Sequence, residues 1–373
     1  MASLIYSILL LPLEFISHIF SECSNSISVV SYLFQSLLSS IITIAIVSGL
    51  YTLITYYYSI QYVSTTDKYV VITGADSGLG LETVSKLATK DIKVIALTLT
   101  EEGGNVASKR GAAYTIHCDL TVEREIKKAT EQISQITNNK LWAVVHNAGI
   151  VKAGFIDFQP IKNYRDCMEV NFFGIVSLNQ RLLPMIKAAA AYEGNLLKSF
   201  DTTVTASRVV IVTSVDGIVS LPGNAPYDSS KFAAEAFADA LRCEASFWNV
   251  HVSVINPSTM RTPLALTFFE TQRATWNAFK AIEPSGQWQK EWSKEWLEEH
   301  IKTNASGINS IAENPIVTVK DICHAVTGKY PKFRYLSGTA AKTLFYLLWI
   351  LPEHLSFSIK KSIINPKPKV IIE

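Results

Sequence analysis

The first 67 residues contain no lysine and no arginine, although the chain of 373 residues carries 34 of them. A segment without positive charge lacks the basic n-region that opens a secretory signal, and Leu4–Phe20 also contains Pro12, Glu14 and His18. Cysteine is scarce too. Cys23, Cys118, Cys167, Cys243 and Cys323 are odd in number and form no close pairs, which argues against a disulfide framework or a zinc site. The seven histidines show no metal-ligand spacing. With a net charge of +2, nothing favours a nucleic-acid partner.

What the first 67 residues do have is apolar length. Val29 to Tyr62 runs without a charged residue, and about 20 apolar residues suffice to cross a bilayer. Tyr56, Tyr57, Tyr58 and Tyr62 suit a membrane interface. Residues 1–67 are therefore read as a membrane-anchoring region, with Leu4–Phe20 a second, shorter membrane-associated segment. The alternative for 29–62 is a buried core helix.

From Tyr69 onward short β-branched runs alternate with helical patterns. Tyr69–Thr73, Ile92–Leu97, Ala112–His117, Leu141–Val145, Val209–Ser214 and Val250–Ile255 read as strands. Helical spacing between them implies an α/β fold with a doubly wound parallel sheet of the Rossmann type. Ligands bind such sheets at the carboxyl ends of the strands. The first strand enters Gly74-Ala-Asp-Ser-Gly78-Leu-Gly80, followed by a helical pattern. A glycine turn there lets the backbone approach a pyrophosphate, and the helix N-terminus supplies N–H groups and a positive dipole end. An ordinary strand–helix turn is the competing reading.

The chemistry centres on Tyr227 and Lys231, four residues apart just after Pro226. Proline favours the first turn of a helix, and positions i and i+4 share a face. A cation beside a phenol lowers its pKa, so this Tyr is expected to exchange a proton with an alcohol or alkoxide. Ser214, at the end of its strand, is placed to hold the same oxygen. Alone, the pair is equally compatible with an exposed surface helix.

Taken together these residues resemble the short-chain dehydrogenase/reductase family over roughly residues 68–340. The family's Thr-Gly-x-x-x-Gly-x-Gly is met by Thr73 to Gly80, and its Asn-Asn-Ala-Gly by His146-Asn147-Ala148-Gly149. Shorter matches, in Asp76–Gly80, Leu97–Thr100 and Tyr330–Tyr335, resemble its membrane-associated branch of retinol, hydroxysteroid and 3-hydroxybutyrate dehydrogenases. The resemblance implies that Asn171, Ser214, Tyr227 and Lys231 are catalytic, with Asn171 supporting a water relay and Ser214 touching the substrate. It implies cofactor contacts from Gly74, Asp76, Ser77, Gly78, Leu79, Gly80, Thr98, Asp119, Leu120, Asn147, Ala148, Gly149, Tyr227, Lys231, Pro257 and Thr262. His146 and Ser258 depart from the family pattern, both in what read as turns.

The expected activity is hydride transfer between a nicotinamide cofactor and a hydrophobic alcohol or carbonyl, such as a retinoid, steroid or other lipid-like alcohol. Two alternatives stand beside it: an NADP-dependent carbonyl reductase of lipid metabolism, and a catalytically silent binding protein. NAD is preferred to NADP, because Asp76, Ser77, Thr98 and Leu99 offer no cation for a ribose phosphate. Lys109 or Arg110 folding back would overturn that. Many NAD-specific relatives carry an Asp where Thr98 stands.

Residues 258–315 are expected to form a substrate lid, with Trp288, Trp292 and Trp296 on one helix face, either packed on the core or else lining an apolar pocket or dipping into a membrane interface. Residues 341–373 hold an apolar patch, Leu344 to Leu351, and a basic tail expected to be disordered after Asn365. Partners are a small hydrophobic substrate and a membrane, with a homodimer as one reading of the oligomeric state. The membrane is expected to be that of the endoplasmic reticulum, with the mitochondrion as the alternative. Lys68, Lys86, Lys90 and Lys93 come after the apolar run and put the catalytic domain in the cytosol. Asn304-Ala-Ser306 reads as a glycosylation acceptor if that domain is lumenal instead.

Overall fold

Beyond the apolar N-terminus, the chain alternates between the two-residue period of strands and the 3.6-residue period of helices. The computed structural model describes residues 26–197 and 207–368. The expected segment at 4–20 lies outside the described residues. The chain divides into two units, one ending at Ile60 and one from Gln61 to Glu373.

The described part of the first unit is a single helix, Ser26–Ser59. Its stretch Phe34–Ser59 is 26 residues long, none of its most apolar window is buried, and it is apolar and long enough to cross a membrane. At about 1.5 Å per residue it reaches about 39 Å, more than the roughly 30 Å of a hydrocarbon core. The core-helix reading fails, because the side chains described along it are exposed.

In the second unit seven strands form one sheet in the order β3-β2-β1-β4-β5-β6-β7, and every neighbouring pair is parallel. The strands are β1 Tyr69–Thr73, β2 Lys93–Thr98, β3 Tyr114–His117, β4 Ala143–His146, β5 Ser207–Val212, β6 Val250–Pro257 and β7 Arg334–Ser337. Val70, Val71 and Ile72 are all fully buried, with Val71 in one core cluster and Val70 and Ile72 in the other. A strand covered by helices on both faces needs apolar residues at every position rather than at alternate ones. The doubly wound α/β fold expected from the sequence is the one observed. The crossover between β1 and β4 places the strand ends where a ligand crevice forms.

Several strand ends differ from expectation: β2 runs on to Thr98 and β6 to Pro257, and two others bear directly on the site. β5 stops at Val212, so Ser214 lies past the strand, at the entry of a short helical turn over Val215–Gly217. His146 is the last residue of β4 rather than part of a turn. It is 1% exposed, and burial pushes its imidazole down to about 4, so it is neutral at physiological pH.

The helix Ala225–Ala245 follows Asn224 with Pro226 in its first turn. Its inner face is fixed by polar groups as well as by alanines. Glu235 accepts from Thr213 Oγ1 and Asn256 Nδ2, both at 2.5 Å, and Arg334 Nη1 lies 2.6 Å from its other oxygen. Arg334 also donates to Asn256 Oδ1 at 2.9 Å, so one carboxylate ties this helix to the loop after β5, to β6 and to β7.

The expected lid is helical: Pro263–Leu266, Phe268–Ile282, Trp288–Glu291 and Lys294–Ile311. Trp288, Trp292 and Trp296 do not share one helix, because the chain breaks at Trp292 and restarts with Ser293 capping the Trp296 N–H at 3.2 Å. The three rings still meet, in a cluster with Phe155, Phe158 and Trp276. Packing on the domain core is thus the correct one of the two readings. The chain is held at Asn365 and Pro366, where the expected disordered tail begins, and residues 369–373 lie outside the described residues. The Asn365 carbonyl faces His300 Nδ1 and accepts from Asn304 Nδ2, each at 3.0 Å, and the Pro366 carbonyl accepts from Trp296 Nε1 at 2.9 Å. In the apolar patch, Phe345 and Leu348 are buried while Leu344, Leu347 and Ile350 are exposed, as an interfacial segment would have it.

Replacing Glu235 by Ala removes the counter-ion of the Arg334 guanidinium and one of the acceptors shared by Thr213 and Asn256, leaving each its remaining bond. The expected loss is about 3 kcal/mol of unfolding free energy, with a smaller loss for Glu235→Gln. Chemical denaturation checks this, and equal stabilities of all three proteins would contradict it.

Candidate functional site

Each element of the crevice contributes a short polar segment. β1 leads into the glycine turn. Gly74 adopts φ +61°, and a Cβ there would lie 2.7 Å from the Ala148 backbone. A Cβ on Gly80 would meet the Gly74 carbonyl at 2.2 Å. Only glycine permits this approach of helix, turn and β4. Thr73 Oγ1 accepts from the Asn147 and Ala148 N–H groups at 2.9 and 3.0 Å, and Asn147 Nδ2 donates to the Thr73 and Gly74 carbonyls. The helix Gly78–Ala88 has no side-chain cap from Ser77, so its first turn presents N–H groups toward an anion.

A cavity of about 810 Å³ opens along the strand ends. Gly74, Asp76, Ser77, Gly78 and Leu79 line it from the turn. Asp119 and Leu120 line it after β3, and Asn147, Ala148 and Gly149 after β4. Ser214, Tyr227, Lys231, Pro257 and Thr262 complete the expected set on this wall. Three expected residues do not reach it. Gly80 is consumed by packing. Thr98 is 2% exposed, inside the end of β2, and its neighbour Leu99 lines the cavity instead. Asn171 lies behind the wall.

Asn171 is fully buried in a widened turn of helix over Glu169–Phe173. Its Oδ1 accepts from the Ile150 N–H at 2.8 Å, and its Nδ2 donates to the Ile150 carbonyl at 2.9 Å and to Ser230 Oγ at 2.8 Å. It is not the solvated residue that a lone helical Asn usually is; it joins the loop after β4 to the Tyr227 helix.

Asp76 has a second occupation. Its carboxylate accepts from the Leu99 N–H at 3.0 Å and from the Thr100 N–H and hydroxyl at 3.1 and 3.2 Å. It therefore shapes the loop after β2 as well as facing the cavity. Asp119 likewise accepts from the Thr121 N–H and hydroxyl, both at 2.8 Å. Neither Lys109 nor Arg110 lines the cavity, and Arg110 pairs with Glu82 at 3.1 Å.

Tyr227 and Lys231 are 7% and 3% exposed, so the surface-helix reading does not hold. Lys231 Nζ donates to the Val212 carbonyl at 3.1 Å and sits 5.4 Å from the centre of the Tyr227 ring. Burial pushes the ammonium down to about 8, countered by Cys167, Glu235 and Asp216. The phenol is pushed well above the ordinary tyrosine range by burial, then by the negative charge of Asp216, with the Ser214 hydroxyl acting the other way. At this depth the desolvation of a phenolate outweighs the lowering expected from the nearby cation.

Residue spacing gave no warning of a second polar group. Asp216, Asn224 and Asp228 lie within the same stretch as Ser214 and Tyr227, and Asn224 Nδ2 bridges the two carboxylates, at 3.3 Å to Asp216 and 2.8 Å to Asp228. Two aspartates among the apolar residues of that stretch were the available signal. Asn304 sits inside the helix Lys294–Ile311, with its amide nitrogen bonded to the His300 carbonyl at 2.8 Å.

Among known proteins, a family profile described as short chain dehydrogenase matches residues 68–273. Human dehydrogenase/reductase SDR family member 9 is 31% identical over 81% of this chain and 91% of its own. Mouse retinol dehydrogenase 7 is 32% identical over 80% and 89%, and bovine 17-beta-hydroxysteroid dehydrogenase type 6 is 30% identical over 84% and 94%. Among solved structures, a short chain dehydrogenase/reductase from Burkholderia phymatum in complex with NAD shares the fold with a TM-score of 0.59 at 17% identity, over 83% of this chain and 99% of that one. A 3-ketoacyl-(acyl-carrier-protein) reductase from Brucella melitensis complexed with NADH gives 0.57 at 20% identity, over 74% and 100%.

Proposed function

We propose, from the premise that the chain belongs to the short-chain dehydrogenase family, in the branch of the retinol and 17-beta-hydroxysteroid dehydrogenases, that it is a membrane-anchored, NAD-preferring oxidoreductase of hydrophobic alcohols. The observation that carries this reading is the burial of Tyr227, Lys231 and Ser214 together on one wall of the cavity that also receives the glycine turn. Its other wall is apolar, with Phe155, Leu264, Phe268, Leu344 and Ile364.

The residues present fit a dinucleotide. The turn at Gly74 and the uncapped helix at Gly78 suit a pyrophosphate, and Lys231 suits a ribose hydroxyl. When bound, the nicotinamide takes a hydride from the carbinol carbon or returns it to a carbonyl. Tyr227 takes the alcohol proton during oxidation and gives it back during reduction. Ser214 holds the substrate oxygen as charge develops on it. Lys231 keeps a positive charge beside the phenolate, and Asn171 holds the loop and helix between which Gly149 lies, 3.4 Å by its ideal Cβ from Lys231 Nζ.

The sign of the pH dependence comes from the buried phenol. With its pKa raised, the protonated form dominates at neutral pH, so reduction runs readily and oxidation gains as pH rises. Tyr227→Phe is expected to lower turnover by about 100-fold or more in both directions, with dinucleotide affinity nearly unchanged. Near-normal turnover, or an oxidation rate that falls as pH rises from neutrality, would refute the role.

NAD is favoured because the cavity near β2 is lined by Asp76, Leu99 and Thr100, with no cation there among the described residues. A ribose phosphate would face the Asp76 carboxylate unpaired. Leu99→Arg adds a guanidinium without cutting the bonds that Asp76 makes. It is expected to move the ratio of kcat/KM for NAD over NADP toward NADP by about tenfold or more. A wild-type preference for NADP would overturn the assignment.

The helix Ser26–Ser59 is proposed as the anchor, in the endoplasmic reticulum, with the catalytic unit in the cytosol next to Lys68, Lys86, Lys90 and Lys93. Full-length protein should stay with membranes in carbonate, and protease added to sealed microsomes should digest the catalytic unit. Release by carbonate would refute the span, and protection from protease would reverse the orientation.

A further inference from the structure

Because all seven strands run parallel, the segments that enter them gather at one end of the sheet and the segments that leave them at the other. The two ends differ in charge. Among the described residues, the entering segments hold Lys68, Lys90, Arg110, Lys140, Lys329 and Lys332 against Asp67 and Asp91. The leaving segments, at the cavity end, hold Asp76, Asp119, Asp157 and Asp216 against Lys152 and Arg261. Lys187 joins the basic end, since the helix that carries it reaches the start of β4, where the Met185 carbonyl accepts from the Leu141 N–H at 3.3 Å.

The basic end also exposes large rings. Phe247 and Trp248 stand just before β6, Phe333 just before β7 and Tyr62 ahead of β1. Phe247 is 85% exposed and Phe333 60%, and Tyr62 and Trp248 are about half exposed. Cations lie against several of these rings: Lys187 Nζ is 3.3 Å from the centre of Trp248, and Lys90 Nζ is 4.6 Å from that of Tyr62. The ion pairs near this end use Lys93, Arg110 and Arg242. Among the described residues none uses Lys90, Lys187, Lys329 or Lys332, so these four keep their charge for an outside partner. Exposed aromatic rings beside unpaired lysines suit the headgroup layer of a bilayer, where a ring is half in water and a cation meets phosphate.

The chain itself says which partner reaches this end. The Lys329 N–H donates to the Gln61 carbonyl at 2.8 Å, the Val63 N–H donates to the Thr327 carbonyl at 3.0 Å, and Tyr62 bridges Gly328. Residues 61–63 are thus fastened to the segment that enters β7. Only Ile60 separates them from the helix Ser26–Ser59. A helix that crosses a bilayer therefore brings lipid to within a few residues of the basic end, at whatever angle it stands.

We propose that this end of the sheet is a docking face for a bilayer surface rich in anionic headgroups, with Lys90, Lys187, Lys329 and Lys332 meeting phosphate or carboxylate and Phe247, Trp248 and Phe333 entering the headgroup layer. This rests on the anchor reading and adds a second, electrostatic contact to it. The cavity lies at the other end of the sheet, so docking turns its mouth toward the aqueous phase from which a dinucleotide comes.

The test uses full-length protein reconstituted in phosphatidylcholine vesicles with and without about 30% phosphatidylserine. Some of the phosphatidylcholine is brominated high on its acyl chains, which quenches tryptophan in contact with lipid. The difference between wild type and Trp248→Phe reads Trp248 alone. Quenching of Trp248 is expected with phosphatidylserine, reduced by about half or more without it, in about 1 M NaCl, or in the double variant Lys329→Glu, Lys332→Glu. The salt arm needs no variant to fold beyond the reporter. No quenching of Trp248 with phosphatidylserine, or equal quenching in both lipids and in salt, overturns the docking face. Trp248 shielded from aqueous acrylamide but not quenched by lipid means that protein covers the face, and overturns it too. In each case, resistance of the full-length protein to carbonate leaves the anchor reading standing, whereas release by carbonate overturns both.

Discussion

The packing of the helix Ala225–Ala245 through two buried charges is the constraint on which the site depends. Lys231 and Glu235 lie one turn apart on its inner face, where an uncompensated charge is costly. Lys231 reaches the carbonyl at the end of β5, and Glu235 collects Thr213, Asn256 and Arg334 from three other segments. These directional contacts set the rotation and height of the helix more closely than its small alanines could. Tyr227 lies one turn before Lys231, so the same contacts position its phenol against the cavity.

Burial then sets the chemistry. A phenol and an ammonium at the surface would titrate near their ordinary values. Here desolvation raises the phenol, which keeps its proton at physiological pH, and lowers the ammonium toward that pH. A largely apolar cavity also strengthens each interaction with charge that develops on the substrate oxygen. The wall that produces this environment comes largely from the lid. Phe155 stacks on Trp292 at 4.8 Å and meets Trp296 edge-on at 5.2 Å, while Trp296 and His300 hold the tail at Pro366 and Asn365. The aromatic residues thus support the pocket from behind rather than facing a membrane.

Several features were legible in the amino-acid sequence alone. The parallel sheet comes from short β-branched runs alternating with helical spacing, because strands buried on both faces have little freedom of composition. The glycine turn was legible because Gly74 and Gly80 stand where a Cβ would collide with backbone, and the Tyr227 helix because proline and the i, i+4 spacing are local properties. The apolar helix was legible from length alone. The residues Tyr227, Lys231 and Ser214 were legible as residue types at a spacing.

What local pattern could not supply was depth and direction. Whether Lys231 lowers the Tyr227 pKa depends on how much water each loses, and that is decided by residues from β5, the lid and the loop at Asp216. Thr98 and Leu99 are adjacent in sequence, yet only Leu99 faces the cavity, because a strand sends successive side chains to opposite sides. Trp288, Trp292 and Trp296 have the spacing of one helix, but the chain breaks between them and long-range packing reunites the rings.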